Sequence, residues 1–207
     1  MNLKKRLNAG FGKAICYSGF REGQSPETGI FPTYEEIKED LLILQNHWKF
    51  LRLYDCDKHS EIVLEVIENE NLNFKVMLGA YIVAEVNNFG CHWGGTYSED
   101  QLIKNKEINL RRIQKLIKMA NQYPEIIFSL SAGNEACVDW TDHYVPVKSV
   151  INYVKMIKKE TIQPVTFCEN YLPWLDKLKD LVNEVDFISI HTYPVWEYKN
   201  IHEPINC

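Results

Sequence analysis

Ser129-Leu-Ser-Ala-Gly-Asn-Glu135 is the stretch whose reading decides the fold. Ile126 to Leu130 is mostly apolar, and it runs into small residues and then an Asn-Glu pair. This pattern predicts a buried strand that delivers a carboxylate at its C-terminal end. In an α/β barrel the chemistry sits at that end of the strands.

Outward from this strand, strand-like and helix-like segments alternate. Lys13 to Ser18 is a short strand, followed by a Gly/Pro/Ser-rich loop from Gly19 to Pro32. Thr33 and Glu36 have capping-box spacing. Tyr34, Ile37, Leu41, Leu44 and Trp48 then fall on one helical face. Phe50 to Leu53 is the second strand. Ser60 is read as the cap of the next helix, with Ile62, Val63, Val66 and Ile67 inward. Lys75 to Gly79 is the third strand. A long loop with Asn87, Asn88 and several glycines carries Trp93 and Tyr97, and loops of this length are usually functional. In the helix after it, Leu110, Ile113, Leu116, Ile117 and Ala120 share a side.

Ile126 to Ala132 is the fourth strand, and a helix is expected from Val147 to Lys159. The fifth strand runs from Val165 to Cys168 and ends at Glu169. Leu175, Leu178, Leu181 and Val182 mark a further helix. Phe187 to Ile190 is the sixth strand, leading into His191-Thr-Tyr-Pro-Val-Trp-Glu197. Six strands with helices between them predict a parallel sheet with helices outside, in one domain spanning 1–207. A nucleotide-binding doubly wound sheet is the alternative, but Ser18-Gly-Phe-Arg-Glu-Gly23 lacks its glycine fingerprint. Tyr17, Arg52, Tyr54, Asn134, Glu135, Glu169, His191 and Tyr193 collect at strand ends, as in a barrel mouth. A full barrel has eight strands in roughly 250 residues. The expected fold is therefore an α/β, TIM (β/α)8-type barrel that is incomplete, with about six βα units.

Composition narrows the function classes. A net charge of -5 gives no support for nucleic acid as partner. No run of eighteen apolar residues predicts a membrane span. Lys4, Lys5 and Arg6 are followed by no apolar h-region, so no secretory signal is read and a cytoplasmic location is expected. The six cysteines, Cys16, Cys56, Cys91, Cys137, Cys168 and Cys207, lack C-x-x-C spacing and read as reduced thiols. His47, His59, His92, His143 and His202 show no ligand spacing, so neither a metal nor another cofactor is expected. Asp139, Asp142 and His143 read as a solvated loop beside the cleft. The 5 Trp, 11 Tyr and 9 Phe suit a sugar-binding cleft as well as an ordinary core.

Glu135 is the main candidate for chemistry. Desolvation at the end of a buried strand is expected to raise its pKa, which suits a general acid. The structural alternative is a strand-end glutamate paired with a neighbouring cation. Arg52 and Trp196 have comparable alternatives as a strand-end arginine and an ordinary packing residue.

Five segments, in order, resemble glycoside hydrolases of family 17, the β-1,3-glucan hydrolases and their bacterial and fungal relatives. They are Leu51-Arg-Leu-Tyr54, Val76-Met-Leu-Gly79, Ala132-Gly-Asn-Glu135, Pro164-Val-Thr166, and Val185-Asp-Phe-Ile188 with Tyr193-Pro-Val-Trp-Glu197. The resemblance implies a (β/α)8 barrel acting on β-glucan, with a retaining mechanism that uses two glutamates. Glu135 would be the acid/base, and Asn134 would bond the sugar 2-hydroxyl. Arg52 would orient the nucleophile carboxylate. Tyr54, His191 and Tyr193 would line the cleft, and Trp196 would offer a stacking face.

The chain departs from the family at the nucleophile, which the family places at the end of a seventh strand. Retention needs a second carboxylate about 5–5.5 Å from the acid. Glu169 lies roughly one strand spacing, ~4.8 Å, from Glu135, and Glu197 follows the sixth strand. The resemblance gives Glu169 no nucleophile role, which leaves it as a cleft-lining or structural residue. The chain therefore reads as a truncated or split enzyme, or as a non-catalytic carbohydrate-binding barrel fragment. In either case open sheet edges invite self-association or a complementing chain. Relatives of the family are often extracellular or cell-wall associated, in tension with the cytoplasmic expectation.

Overall fold

The computed structural model describes residues 5, 7, 9–194 and 196. Six parallel strands form one sheet: β1 (Ala14–Cys16), β2 (Phe50–Leu53), β3 (Lys75–Gly79), β4 (Ile127–Asn134), β5 (Val165–Asn170) and β6 (Ser189–His191). Each strand pairs with the next in sequence, so the spatial order never reverses. A doubly wound sheet reverses at a switch point; a barrel wall does not. The sheet curls into a half-barrel, with helices between successive strands.

Period-two alternation sets which side is packed. Leu51, Leu53, Val76, Leu78, Leu130, Ala132, Val165 and Phe167 are buried in the main core with helix residues. Arg52 and Met77 stand between them in the strands and line the opposite face with Cys16 and Phe128. The helices cover the first face: α1 (Tyr34–Leu44), α2 (Lys58–Asn69), α3 (Glu99–Gln122), α4 (Val147–Glu160), and the short α5 (Tyr171–Leu175) and α6 (Lys179–Val182). Among the described residues, no helix is long and apolar enough to cross a membrane.

Local chemistry explains most helix boundaries. Thr33 caps α1 in a reciprocal capping box with Glu36, as the spacing predicts. The cap of α2 is Asp57 and not Ser60. The extended backbone of Asp57 lets its carboxylate accept the Ser60 N–H, while the Ser60 hydroxyl donates to the Asp55 carbonyl at 2.5 Å. In α3, Leu110 is 42% exposed and Asn109 is fully buried. The inward stripe is Asn105, Asn109, Ile113, Leu116, Ile117 and Ala120, because the two asparagines serve the backbone of the β3–α3 loop. Asn105 donates to the Ala84 carbonyl, and Asn109 bonds both the N–H and the C=O of Val83.

Two further boundaries differ from expectation. The segment after β5 forms two short helices in place of one, because the Asp176–Leu178 turn folds back and Leu178 N–H bonds the Pro173 carbonyl. The sixth strand pairs from Ser189 to His191 rather than from Phe187, in register with Cys168, Glu169 and Asn170. Cys56, Cys91, Cys137 and Cys168 are buried free thiols and Cys16 is an exposed one; Cys207 lies outside the described residues.

Candidate functional site

Glu135 directly follows β4 and adopts φ 45, in the left-handed region. A non-glycine residue held there costs on the order of 1–3 kcal/mol and persists only where its surroundings enforce it. Gly133 prepares the turn. Its φ is 132, and a Cβ on it would lie 2.8 Å from Ile82 and from Phe167, so no other residue fits without displacement. Glu135 N–H then bonds the Cys168 carbonyl of β5 at 2.9 Å.

Side chains from three strands converge on this turn. From β2, Arg52 donates to Asn134 Oδ1 at 2.5 Å and contacts His191 Nε2 at 2.6 Å. The guanidinium also lies 4.5 Å from the centre of the Tyr54 ring, a cation–π contact. His191, at the end of β6, places Nδ1 2.9 Å from Glu135 Oε1. Tyr193 donates its hydroxyl to the same oxygen at 2.8 Å. Asn134 Oδ1 is engaged by Arg52.

The contacts assign the imidazole proton. Burial disfavours imidazolium, whereas bonds to Cys168 and Glu135 favour it and carry the His191 pKa up to about 9 on balance. The Arg52 contact opposes that shift. A guanidinium can only donate, so Nε2 must present its lone pair. A protonated Nε2 would set N–H against N–H at 2.6 Å. The Arg52 contact thus favours a lone pair on Nε2 and places the ring proton on Nδ1, directed at Glu135.

Glu135 itself departs from the sequence expectation. Burial pushes its pKa up, but the bonds from His191 and Tyr193 and the charge of Arg52 outweigh burial and hold it below the usual value. Glu135 is ionised at neutral pH. The carboxyl that burial raises is Glu169, to about 7, despite N–H bonds to it from Cys137 and Asn170 and with the Glu135 charge adding to the rise. Glu169 is 0% exposed, and both its oxygens accept backbone N–H groups at 2.7 Å. It ties β5 to the turn after Glu135 and has no surface to offer a sugar, in contrast to the cleft-lining expectation.

Tyr54 is 41% exposed, with its pKa pushed up to about 12 by burial and the Cys16 thiol. It borders a cavity of about 590 Å³ that also takes in Phe20, Asp55, His59, Tyr81 and Arg112. Tyr17 lines this cavity too, but its hydroxyl is committed to Asp40 at 2.8 Å. Trp196 is 84% exposed and, among the described residues, makes no ring contact or hydrogen bond with the Glu135 cluster. Glu197 lies outside the described residues. Trp93 is exposed, while the Tyr97 hydroxyl bonds the Asp142 carbonyl. Among the described residues, no group of three or more His, Cys, Asp and Glu side chains is placed to hold a metal.

One neighbour of the Glu135 turn escaped the sequence reading. His143 is not solvated: its side chain is 15% exposed and reaches the Asn134 carbonyl. A histidine in an acidic loop carries no periodic signal, so only the fold reveals this contact.

No family model matches the chain, and no curated protein matches it. Solved structures do. An endo-laminarinase from Formosa Hel1_33_131 is 25% identical, with a TM-score of 0.70 over 93% of this chain and 52% of its own. A glycoside hydrolase family 17 β-1,3-glucanosyltransferase from Rhizomucor miehei is 17% identical, with a TM-score of 0.62 over 89% of this chain and 58% of its own. An active-site mutant of the Rhizomucor miehei enzyme was solved in complex with laminaritriose and is similar to the same degree, with a TM-score of 0.62. The chain spans about half the length of these structures. Its fold is that of a family 17-like glucanase barrel, and its structural neighbours are glycoside hydrolases.

Proposed function

We propose that this chain carries the acid/base side of a retaining β-1,3-glucan-active centre, with Glu135 as the proton-transferring group. The observation that carries this reading is the convergence on one carboxylate. Arg52 of β2, Asn134 of β4, and His191 and Tyr193 at the end of β6 gather around Glu135, which His191 and Tyr193 bond directly and which sits in an enforced backbone conformation. The β-glucan substrate class rests on the laminarinase and glucanosyltransferase likeness and on the laminaritriose found with the latter.

The geometry sets a condition on the chemistry. With two donors on Oε1, Glu135 is ready to accept a proton rather than supply one. A second carboxylate brought close would repel its charge and raise its pKa. That would make it the acid that protonates a leaving oxygen, and later the base that activates water or an acceptor hydroxyl. Glu169 does not serve as this partner, because it is buried and its oxygens are occupied. We infer that the partner carboxylate approaches from beyond the described strands, across the edges that β1 and β6 form among the described residues. A further segment of the protein, a complementing chain or a second copy would supply it there.

The test is turnover of laminarin by this chain and by Glu135→Gln, with laminaritriose binding followed by calorimetry. Loss of turnover by about 10²-fold or more in the variant, with binding kept, is the expected result. Equal turnover in both would remove Glu135 from the mechanism. The ionised state of Glu135 favours a second reading, a glucan-binding barrel without turnover. Binding with no cleavage in either form would identify it.

A further inference from the structure

The peptide unit between Asn134 and Glu135 is held at both ends. Its N–H bonds the Cys168 carbonyl at 2.9 Å, and its C=O accepts from His143 Nε2 at 3.0 Å. A carbonyl can only accept, so this nitrogen of His143 carries hydrogen. The peptide lies between the two side chains that matter, Asn134 on Arg52 and Glu135 on His191 and Tyr193. It also abuts the bond whose rotation, φ 45, is the strained one. Rotation of this peptide would swing the Glu135 carboxylate off both donors.

His143 is itself fixed from several sides. Asp142 Oδ1 lies 2.7 Å from Nδ1, Thr141 Oγ1 lies 3.0 Å from it, and the Tyr81 hydroxyl 3.2 Å. The Tyr81 ring packs on the imidazole with centroids 4.8 Å apart. Tyr81 is anchored in turn, since its N–H bonds Asp55 and its C=O accepts from Arg112. An ordinary loop histidine needs no such seat.

We propose that His143, seated by Asp142, Thr141 and Tyr81, is a positioning residue that holds the Asn134–Glu135 peptide and thereby aims the Glu135 carboxylate. It acts through the backbone and touches no reacting atom. The proposal rests on Glu135 being the acting carboxyl, but its test needs no turnover. A failure of the glycosidase reading would appear separately, as no laminaritriose binding or cleavage by the wild-type chain.

The measurement is a carbon-13 NMR titration of the Glu135 carboxyl in the full chain, assigned by the signal lost in Glu135→Gln. In wild type it should titrate below an ordinary glutamate, because His191 and Tyr193 bond the ionised form. In His143→Ala it should move up toward the ordinary value, and in His143→Gln, which keeps a donor, it should stay low. Asp142 is half exposed, so Asp142→Ala empties no buried site, and it should shift the titration in the same upward direction. If His143→Ala fails to fold, Asp142→Ala read against His143→Gln decides. A Glu135 titration unchanged in every folded variant that lacks the clamp would overturn the proposal.

Discussion

At the scale of single residues, the carboxyl near the turn whose pKa rises is Glu169 and not Glu135, where the strand-end position predicts it. Glu135 is partly exposed and bonded by two donors, so it stays ionised. Glu169 is buried, and its pKa rises to about 7. A group whose folded pKa is raised contributes its stability in full below the unfolded value, and that stability is lost as pH rises through the folded one. For Glu169 the window runs from an ordinary 4.5 to about 7. We predict that stability falls across this window by on the order of 2 kcal/mol through this group. In Glu169→Gln the slope should be flatter, as read by urea unfolding at pH 5 and pH 8. An identical slope in both proteins would show that Glu169 is not the group responsible.

At the scale of elements, the β3–α3 loop is the informative case. Its length suggests a functional loop, and its order comes from α3. Asn109, fully buried, bonds Val83 on both backbone groups and donates to Glu85 at 3.0 Å, and the Tyr153 hydroxyl donates to the same Glu85 oxygen. Removing the Asn109 amide would leave buried polar groups unpaired, at a cost of about 1–3 kcal/mol. Asn109→Ala should therefore lower the unfolding free energy by that amount. It should also raise amide hydrogen exchange from Ile82 to Asn88, with little change in β1 or α1. Exchange that rises evenly over the whole chain would mean that the asparagine supports general stability and not this loop. The helix pattern pointed to Leu110 because apolar periodicity is blind to a polar residue buried for its bonds. The capping box at Thr33 was legible because both of its partners lie within four residues.

At the scale of the whole molecule, β1 and β6 are the edges of the sheet among the described residues. Ile188 and Ile190 are each 50% exposed, and Ile190 lies on the face opposite Ser189 and His191 of β6. An exposed edge strand with apolar side chains is a template for pairing. The proposed association predicts a sedimentation coefficient that rises with concentration, and Ile190→Lys should shift the chain toward the monomer. A monomer at all concentrations for the unmodified chain would sink the association.

Much of the half-barrel was determined by the sequence itself. Strand and helix alternation, the strand bounds at Phe50–Leu53 and Lys75–Gly79, and the delivery of Asn134-Glu135 at a strand end follow from periods of 2 and 3.6 and from small residues at a turn. These are properties of neighbours along the chain. The proton on His191, the ionisation of Glu135, the burial of Glu169 and the seat of His143 were decided only by the tertiary structure. Each depends on a charge, a donor or a loss of water contributed by groups distant in sequence, as Tyr193 reaches Glu135 across a separation of 58 residues. Periodicity tells which way a side chain faces; desolvation and hydrogen bonding depend on what it meets there.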